Sequence, residues 1–272
     1  MRLLHGNSIG TFTFRYDSYM RQRIGFGTIL DEATRPLAIM LCAYRLLAFS
    51  EADMKSNTTI LAVSDMHGNL ESVHELIRMH RPDILICCGD WGDPGTVSRS
   101  EYESIIEQTH VLTVFGNHDD LDLLKELRNQ DGSPILIENN VLREVAGIRI
   151  AGWSGIWAKS HAKPWYTTDE EVRSIGRKLS DQVVHILVTH GCAIGLCDSL
   201  ASGKRGGHKS FLDAVKIIKP EVYLCGHLHV QQCRTTKDGI SCANIGSTAE
   251  GDYVLLFRLT KDWDIKLGRL LT

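Results

Sequence analysis

From residue 58 the chain alternates short, unbroken apolar runs with amphipathic stretches, and almost every run closes on a residue type that binds metal ions. TTILAVSD (58–65), ILICCGD (84–90) and VLTVFGN (111–117) read as strands buried on both faces. Between them GNLESVHELIRMH (68–80) sets Leu70, Val73, Leu76 and Ile77 at helical spacing, and Pro82 stops it. RSEYESIIEQ (99–108) and LDLLKELRN (121–129) read as two more helices. Strand–helix repetition of this kind calls for a parallel sheet with covered faces.

The second half is richer in strands. ILIE, VLREV and IRIAGW (135–153) predict a meander, DEEVRSIGRKL (169–179) a helix, VVHILVTHG (183–191) a buried strand and FLDAVKIIK (211–219) a helix. Strands are expected again at 221–226, 229–236, 240–245 and 253–259. The order predicts an α/β fold of two packed mixed sheets flanked by helices.

In open α/β sheets ligands sit beyond the carboxyl ends of the strands. Here the first run delivers Asp65 and His67 to that edge, the second Asp90, the third Asn117 and His118, a later one His190, and the last His227 and His229. Side chains at i and i+2 of a strand share a face, so His227 and His229 are expected to converge if the strand continues through them. Gly226 removes a side chain where a backbone nears a ligand. Each residue has a plainer reading alone: Asp65 as a helix cap, Asn117 as a turn former, His190 as a core histidine. Their coincidence at successive strand ends favours a metal centre. Seven candidate ligands (Asp65, His67, Asp90, Asn117, His190, His227, His229) exceed what one tetrahedral zinc takes from protein, so two divalent ions are expected. Carboxylate, imidazole and amide without thiolate suit Mn, Fe or Zn alike.

The ordered motifs D-x-H, G-D, G-N-H-D, H and G-H-x-H, spanning residues 58–230, resemble the calcineurin-like metallophosphoesterase superfamily. The resemblance implies a four-layer α/β/β/α sandwich. It implies that Asp65, His67 and His229 hold the first ion, that Asp90 bridges, and that Asn117, His190 and His227 hold the second. Asn117 and His118 would touch the phosphate, with His118 protonating the leaving oxygen. Asp93 would be the carboxylate favouring its imidazolium, with Asp119 as runner-up. The implied reaction is attack of metal-activated hydroxide on phosphorus, with no covalent enzyme intermediate.

GDWGDPG carries proline, and GNHD aspartate, where the protein Ser/Thr phosphatases of the superfamily carry arginine and glutamate. The repair nucleases share GNHD but usually bring a capping domain, and no second-domain linker is visible here. The phosphodiesterase-like branch fits best, with a small or cyclic nucleotide-type phosphodiester as substrate. There a glycine-rich loop after the histidine flanks the pocket, so Trp91 and His208 could line it; for His208 a plain surface loop is the stronger expectation. A phosphomonoesterase or nuclease of the same fold, or a catalytically silent interaction scaffold, are the alternatives.

Composition narrows the rest. A net charge of -3 over 272 residues gives no basic field for nucleic acid, so a small phosphoester is the expected partner; oligomeric state is left open. Eight cysteines, several in apolar runs and none in C-x-x-C, suggest a reducing, cytoplasmic setting. Residues 1–53 differ: arginine-rich, with one apolar stretch, PLAIMLCAYRLLAF, too short to span a membrane. Asp17, Asp31 and Glu32 argue against a signal peptide or organellar presequence. This segment is read as an extension outside the catalytic core, either a disordered tail or a stretch not native to the protein, with a helix at 36–49 as the alternative. The metallophosphoesterase domain is expected at 54–272.

Overall fold

The computed structural model describes residues 58–270 apart from Ala201 and residues 260–261; the expected extension, residues 1–53, lies outside them. In chain order the strands are β1 (Thr59–Val63), β2 (Ile84–Cys87), β3 (His110–Thr113), β4 (Arg143–Val145), β5 (Ile148–Trp153), β6 (Ile156–Trp157), β7 (Tyr166–Thr167), β8 (Ile186–Thr189), β9 (Val222–Cys225), β10 (Gln232–Thr235), β11 (Ser241–Asn244), β12 (Asp252–Leu259) and β13 (Asp262–Arg269). The helices are α1 (Glu71–His80), α2 (Arg99–Ile106), α3 (Leu121–Glu126), α4 (Asp169–Leu179) and α5 (Lys209–Ile218).

One sheet runs β13-β12-β1-β2-β3 and the other β10-β11-β9-β8-β5-β4. In the first, β1, β2 and β3 are parallel and β12 antiparallel. In the second, β5, β8, β9 and β11 are parallel, and β4 and β10 flank them antiparallel. Both sheets are mixed.

Alternation along the strands explains the layering. Ile60, Ala62, Ile84, Ile86, Leu112 and Val114 face Ile150, Ile186, Val188, Val222 and Leu224 in a core between the sheets. The residues between them point outward: Leu61, Val63, Leu85 and Cys87 meet Val73, Leu76, Tyr102, Ile105 and Leu124 from α1, α2 and α3. Leu187, Tyr223 and Cys225 meet Val172, Ile175, Phe211 and Val215 from α4 and α5. A strand with both faces buried must be apolar throughout, which is why these segments read as continuous runs. The result is the expected α/β/β/α stack.

Local chemistry sets the helix ends. α2 opens on a capping box: the Glu101 amide donates to Ser98 Oγ (3.3 Å) and the Ser98 amide to Glu101 Oε2 (2.7 Å). α1 begins at Glu71, three residues later than predicted, because residues 66–69 form a turn, with the Asn69 amide bonding Met66 O (2.9 Å). Its left-handed C-cap, Arg81, precedes Pro82. The predicted strand at 135–138 is only a bridge from Leu136 to Thr113. β13 is not apparent from the sequence; as a partly exposed edge strand, DWDIKLGR carries polar residues on both faces.

Candidate metal centre

All seven predicted ligands sit on turns leaving the carboxyl ends of β1, β2, β3, β8 and β9. Five of them adopt left-handed backbone: Asp65 (φ 55°), His67 (49°), Asp90 (59°), His227 (69°) and His229 (53°). For residues with a Cβ this costs about 1–2 kcal/mol each. Bonds between neighbouring turns hold them there: Asp65 N to Gly89 O (3.0 Å), His67 N to Asp90 O (3.1 Å) and Gly226 N to His190 O (3.1 Å).

Strand alternation does not govern the two C-terminal histidines, His227 and His229, because β9 stops at Cys225. Their left-handed turns send them apart. His227 packs edge-on against His190, with ring centroids 5.0 Å apart, while His229 Nε2 lies 3.1 Å from Asp65 Oδ1 and 3.2 Å from His67 Nε2. Gly226 is required at the turn: a Cβ there would overlap Ser64 Oγ and stand 2.7 Å from Asp65 Oδ2.

The ligand atoms therefore gather in two trios, Asp65–His67–His229 and Asp90–His190–His227, each within 4.8 Å of one another. Asn117 follows Gly116, where a Cβ would overlap Asp90 Oδ1 and approach His190 Nε2 at 2.5 Å. Three atoms in this cluster, Asp65 Oδ1, Asn117 Oδ1 and His190 Nε2, are buried without a hydrogen-bond partner. Buried polar atoms are normally paired, and an ion is one explanation for those that are not. Their partners prepare them for that: Asp65 Oδ2 is occupied by Ser64 Oγ and the His227 amide (2.9 Å), leaving Oδ1. His190 Nδ1 donates to Cys88 O (2.7 Å), which leaves Nε2, 3.4 Å from Asp90 Oδ2, as the nitrogen turned to the cluster. The donor set fits divalent cations.

Electrostatics agree. Burial opposes the Asp90 charge, but His190 and the His118 amide, which donates to Asp90 Oδ1 (2.8 Å), outweigh it and hold the carboxyl well below the usual range. Burial disfavours the His190 cation, yet Asp90 lifts its pKa to about 9. Burial and His190 together depress His227 to about 4, leaving a neutral imidazole. Asp90 and His227 thus favour their unprotonated, ligand-ready forms, and a cation would displace the proton that His190 keeps.

His118 Nδ1 lies 2.9 Å from Asp93 Oδ1, and its ring stands against His67 with centroids 5.2 Å apart. In this pair His118 is half-exposed and Asp93 exposed. Asp119 does something else. Its buried carboxylate accepts from the amides of Asp90 (2.8 Å), Trp91 (2.8 Å) and Gly116 (2.7 Å), tying the β2 turn to the β3 turn. Burial nonetheless pushes that carboxyl up to about 7. Sequence reasoning misses this clamp; the aspartate closing GNHD is its only trace.

Trp91 does not line a pocket. It is 1% exposed, donates Nε1 to Thr113 Oγ1 (2.9 Å) and packs on Tyr102 beneath the metal turns. His208 stacks on Trp157, ring centroids 3.8 Å apart, beside a cleft of about 140 Å³ shared with His227. A larger hollow of about 930 Å³ lies at the amino ends of β9 and β11, near Glu221, Ser241 and Trp263, away from these ligands.

A family model described as the calcineurin-like phosphoesterase superfamily domain matches residues 59–256. The chain belongs to that superfamily. Similar solved structures include TT1561 of Thermus thermophilus (16% identity, 79% of this chain and 99% of that one, TM-score 0.58). A dimetal phosphatase from Danio rerio matches at 11% identity over 78% and 96% of the two chains (TM-score 0.52). GAP50, the anchor in the inner membrane complex of Plasmodium, matches at 12% over 79% and 85% (TM-score 0.53). At these identities the likeness shows the fold alone. No curated protein sequence matches significantly.

Proposed function

We propose that this chain is a dinuclear metal-dependent phosphodiesterase acting on a small or cyclic nucleotide-type phosphodiester. One observation carries the reading: Asp65 Oδ1, Asn117 Oδ1 and His190 Nε2 are ligand-type atoms, buried without a hydrogen bond, on the same set of turns, and the first and last of them face other candidate ligands, His229 (3.1 Å) and Asp90 (3.4 Å). Asp65, His67 and His229 would hold one ion, Asn117, His190 and His227 the other, and Asp90 would serve both. Mn, Fe and Zn all suit these donors. Two divalent ions supply charge neutralisation at the phosphoryl oxygens and an acidified water.

The protein's own part is positioning and proton delivery. The His118 amide is anchored on Asp90, so the general acid is indexed to the shared carboxylate. Asp93 accepts from Nδ1, which fixes the tautomer and leaves Nε2 to donate a proton to the departing alkoxide. Asn117 would orient the phosphate beside it. The net charge of -3 supports a small phosphoester over a nucleic acid. The seven cysteines among the described residues are thiols, six of them buried, which supports a reducing, cytoplasmic setting. Among the described residues no helix is long and apolar enough to cross a membrane.

The likeness to GAP50, described as an anchor, supports a second reading as a silent scaffold. The two separate on hydrolysis of bis(p-nitrophenyl) phosphate by the purified chain with and without Mn²⁺. Turnover that needs the metal and vanishes in Asp90→Ala is expected. A folded protein with no turnover under any divalent metal would falsify the enzymatic reading.

A further inference from the structure

The cleft beside His227 is walled by a feature the phosphate chemistry does not use. The loop carrying His208 is pressed onto the metal turns. His208 N donates to Cys192 O (2.8 Å) and Ile194 N to His208 O (3.1 Å), so the loop lies along the segment that follows His190. Gly207 allows this, since a Cβ there would stand 2.6 Å from Ala193 C and Ile194 N. Gly206 lies against Leu228 of the GHLH turn, where a Cβ would meet Cδ2 at 2.7 Å. The loop thus shares its position with His190 and His227.

Its side chain is fixed as well. The Ser210 amide donates to His208 Nδ1 (3.3 Å), and the ring lies 13° from parallel on Trp157. Trp157 is held in turn, its Nε1 donating to Asp169 Oδ1 (2.8 Å). His208 Nδ1 also lies 2.8 Å from Ser210 Oγ, so two contacts hold the ring by that nitrogen. Trp157, His208 and Phe211 make an aromatic wall, the Gly206–Gly207 backbone adds no side chain, and His227 closes the metal end. At about 140 Å³ the cleft, open to solvent on one side, has room for one six-membered ring.

His118, the proton donor, stands against His67 of the other trio. The cleft adjoins His227 instead. A phosphodiester has two substituents, one that departs from the acid and one that stays. We propose that the Trp157–His208 cleft is the subsite for the retained substituent, and that it takes a single planar aromatic ring such as phenyl or a pyrimidine. This rests on the phosphodiesterase reading and extends it.

The test uses the full chain loaded with Mn²⁺. Phenylphosphonate and methylphosphonate are titrated calorimetrically, and their p-nitrophenyl esters, which have one leaving group, are compared as substrates. An aromatic stacking contact predicts that the phenyl compound binds about 3- to 10-fold tighter. Trp157→Leu, which keeps apolar bulk, and His208→Asn, which keeps a helix-capping acceptor, should each erase that preference in Kd and in KM. Equal affinity in the wild type, no phosphonate binding, or a preference that both folded variants retain would overturn the subsite. The arms separate the two readings. A binding preference without turnover of either ester removes the catalysis and keeps the subsite. Turnover without ring preference does the reverse.

Discussion

The two ends of the same strands obey different rules. At the amino ends most polar groups are paired in ordinary ways, Arg258 Nη1 being buried without a partner. Asp83 Oδ2 accepts from Thr59 N (2.8 Å), Thr109 Oγ1 donates to Pro82 O (2.9 Å), and Asn129 bonds both the amide (2.8 Å) and the carbonyl (3.0 Å) of Val111. At the carboxyl ends, five candidate ligands hold left-handed backbone and three buried ligand-type atoms lack a hydrogen bond, whereas the left-handed residues of the amino ends, Arg81 and Lys219, are ordinary helix caps. Strain and unmet hydrogen bonds cost stability, and they collect where function needs preset geometry. Substitutions at the carboxyl ends should therefore change activity more than stability, and those at the amino ends the reverse.

The largest effect expected on this view is His118→Ala. Loss of a general acid lowers kcat by about 10²–10⁴-fold. The Tm should hardly move, because the ring is half-exposed and its pair with Asp93 is a surface ion pair. Asp93→Asn should cost less activity than His118→Ala and leave the fold equally intact. Kinetics on bis(p-nitrophenyl) phosphate beside thermal melts would decide; a large Tm loss would mean that His118 is structural.

Asp119 is where the comparison should break. It lies at the carboxyl edge yet is buried and fully paired, so it should behave like an amino-end residue. Asp119→Ala leaves three buried amides without an acceptor, each costing about 1–3 kcal/mol if unrelieved. A stability loss of about 3 kcal/mol or more is expected from urea unfolding at pH 8 in EDTA. Mn²⁺ affinity should fall too, because the clamp joins the turns of Asp90 and Asn117. A variant as stable as the parent would show that the turns hold each other without it.

The same contrast explains what the sequence makes legible. Buried strands are continuous apolar runs because both faces are covered, so the layers and the positions of the candidate ligands at the strand ends can be read directly. Handedness of the turns cannot: aspartate and histidine visit the left-handed region more often than most residues, but D-M-H and G-H-L-H do not say that these do, since the conformation is imposed by neighbouring turns. That is why strand alternation puts His227 and His229 side by side, whereas they serve different trios. Trp91 misleads for a related reason. Flanked by two acidic turns it reads as a pocket wall, but its partner, Thr113, comes from another strand. Trp157 sits in a stretch without periodicity, and its role appears only once His208 is stacked on it.

The smallest effect tests the amino ends by pH. His110 opens β3, half-buried, and Asn129 Nδ2 lies 3.4 Å from its Nε2. The orientation of that amide is set by its two bonds to Val111, so Nδ2 is the donor and Nε2 must keep a lone pair. Burial lowers the His110 pKa below 6.5, and a proton on Nε2 would also face the amide hydrogens. The unfolded chain then takes up the proton first as pH falls through 6.5. Above that value His110 is neutral in both states and contributes no pH dependence. Below it the folded state loses stability until the lowered folded pKa is passed, at no more than about 1.4 kcal/mol per pH unit and less after solvent screening. Urea midpoints in EDTA at pH 7.5 and 5.0 should therefore drop further for the wild type than for His110→Gln. Parallel drops would show that the Asn129 contact does not discriminate between the two protonation states.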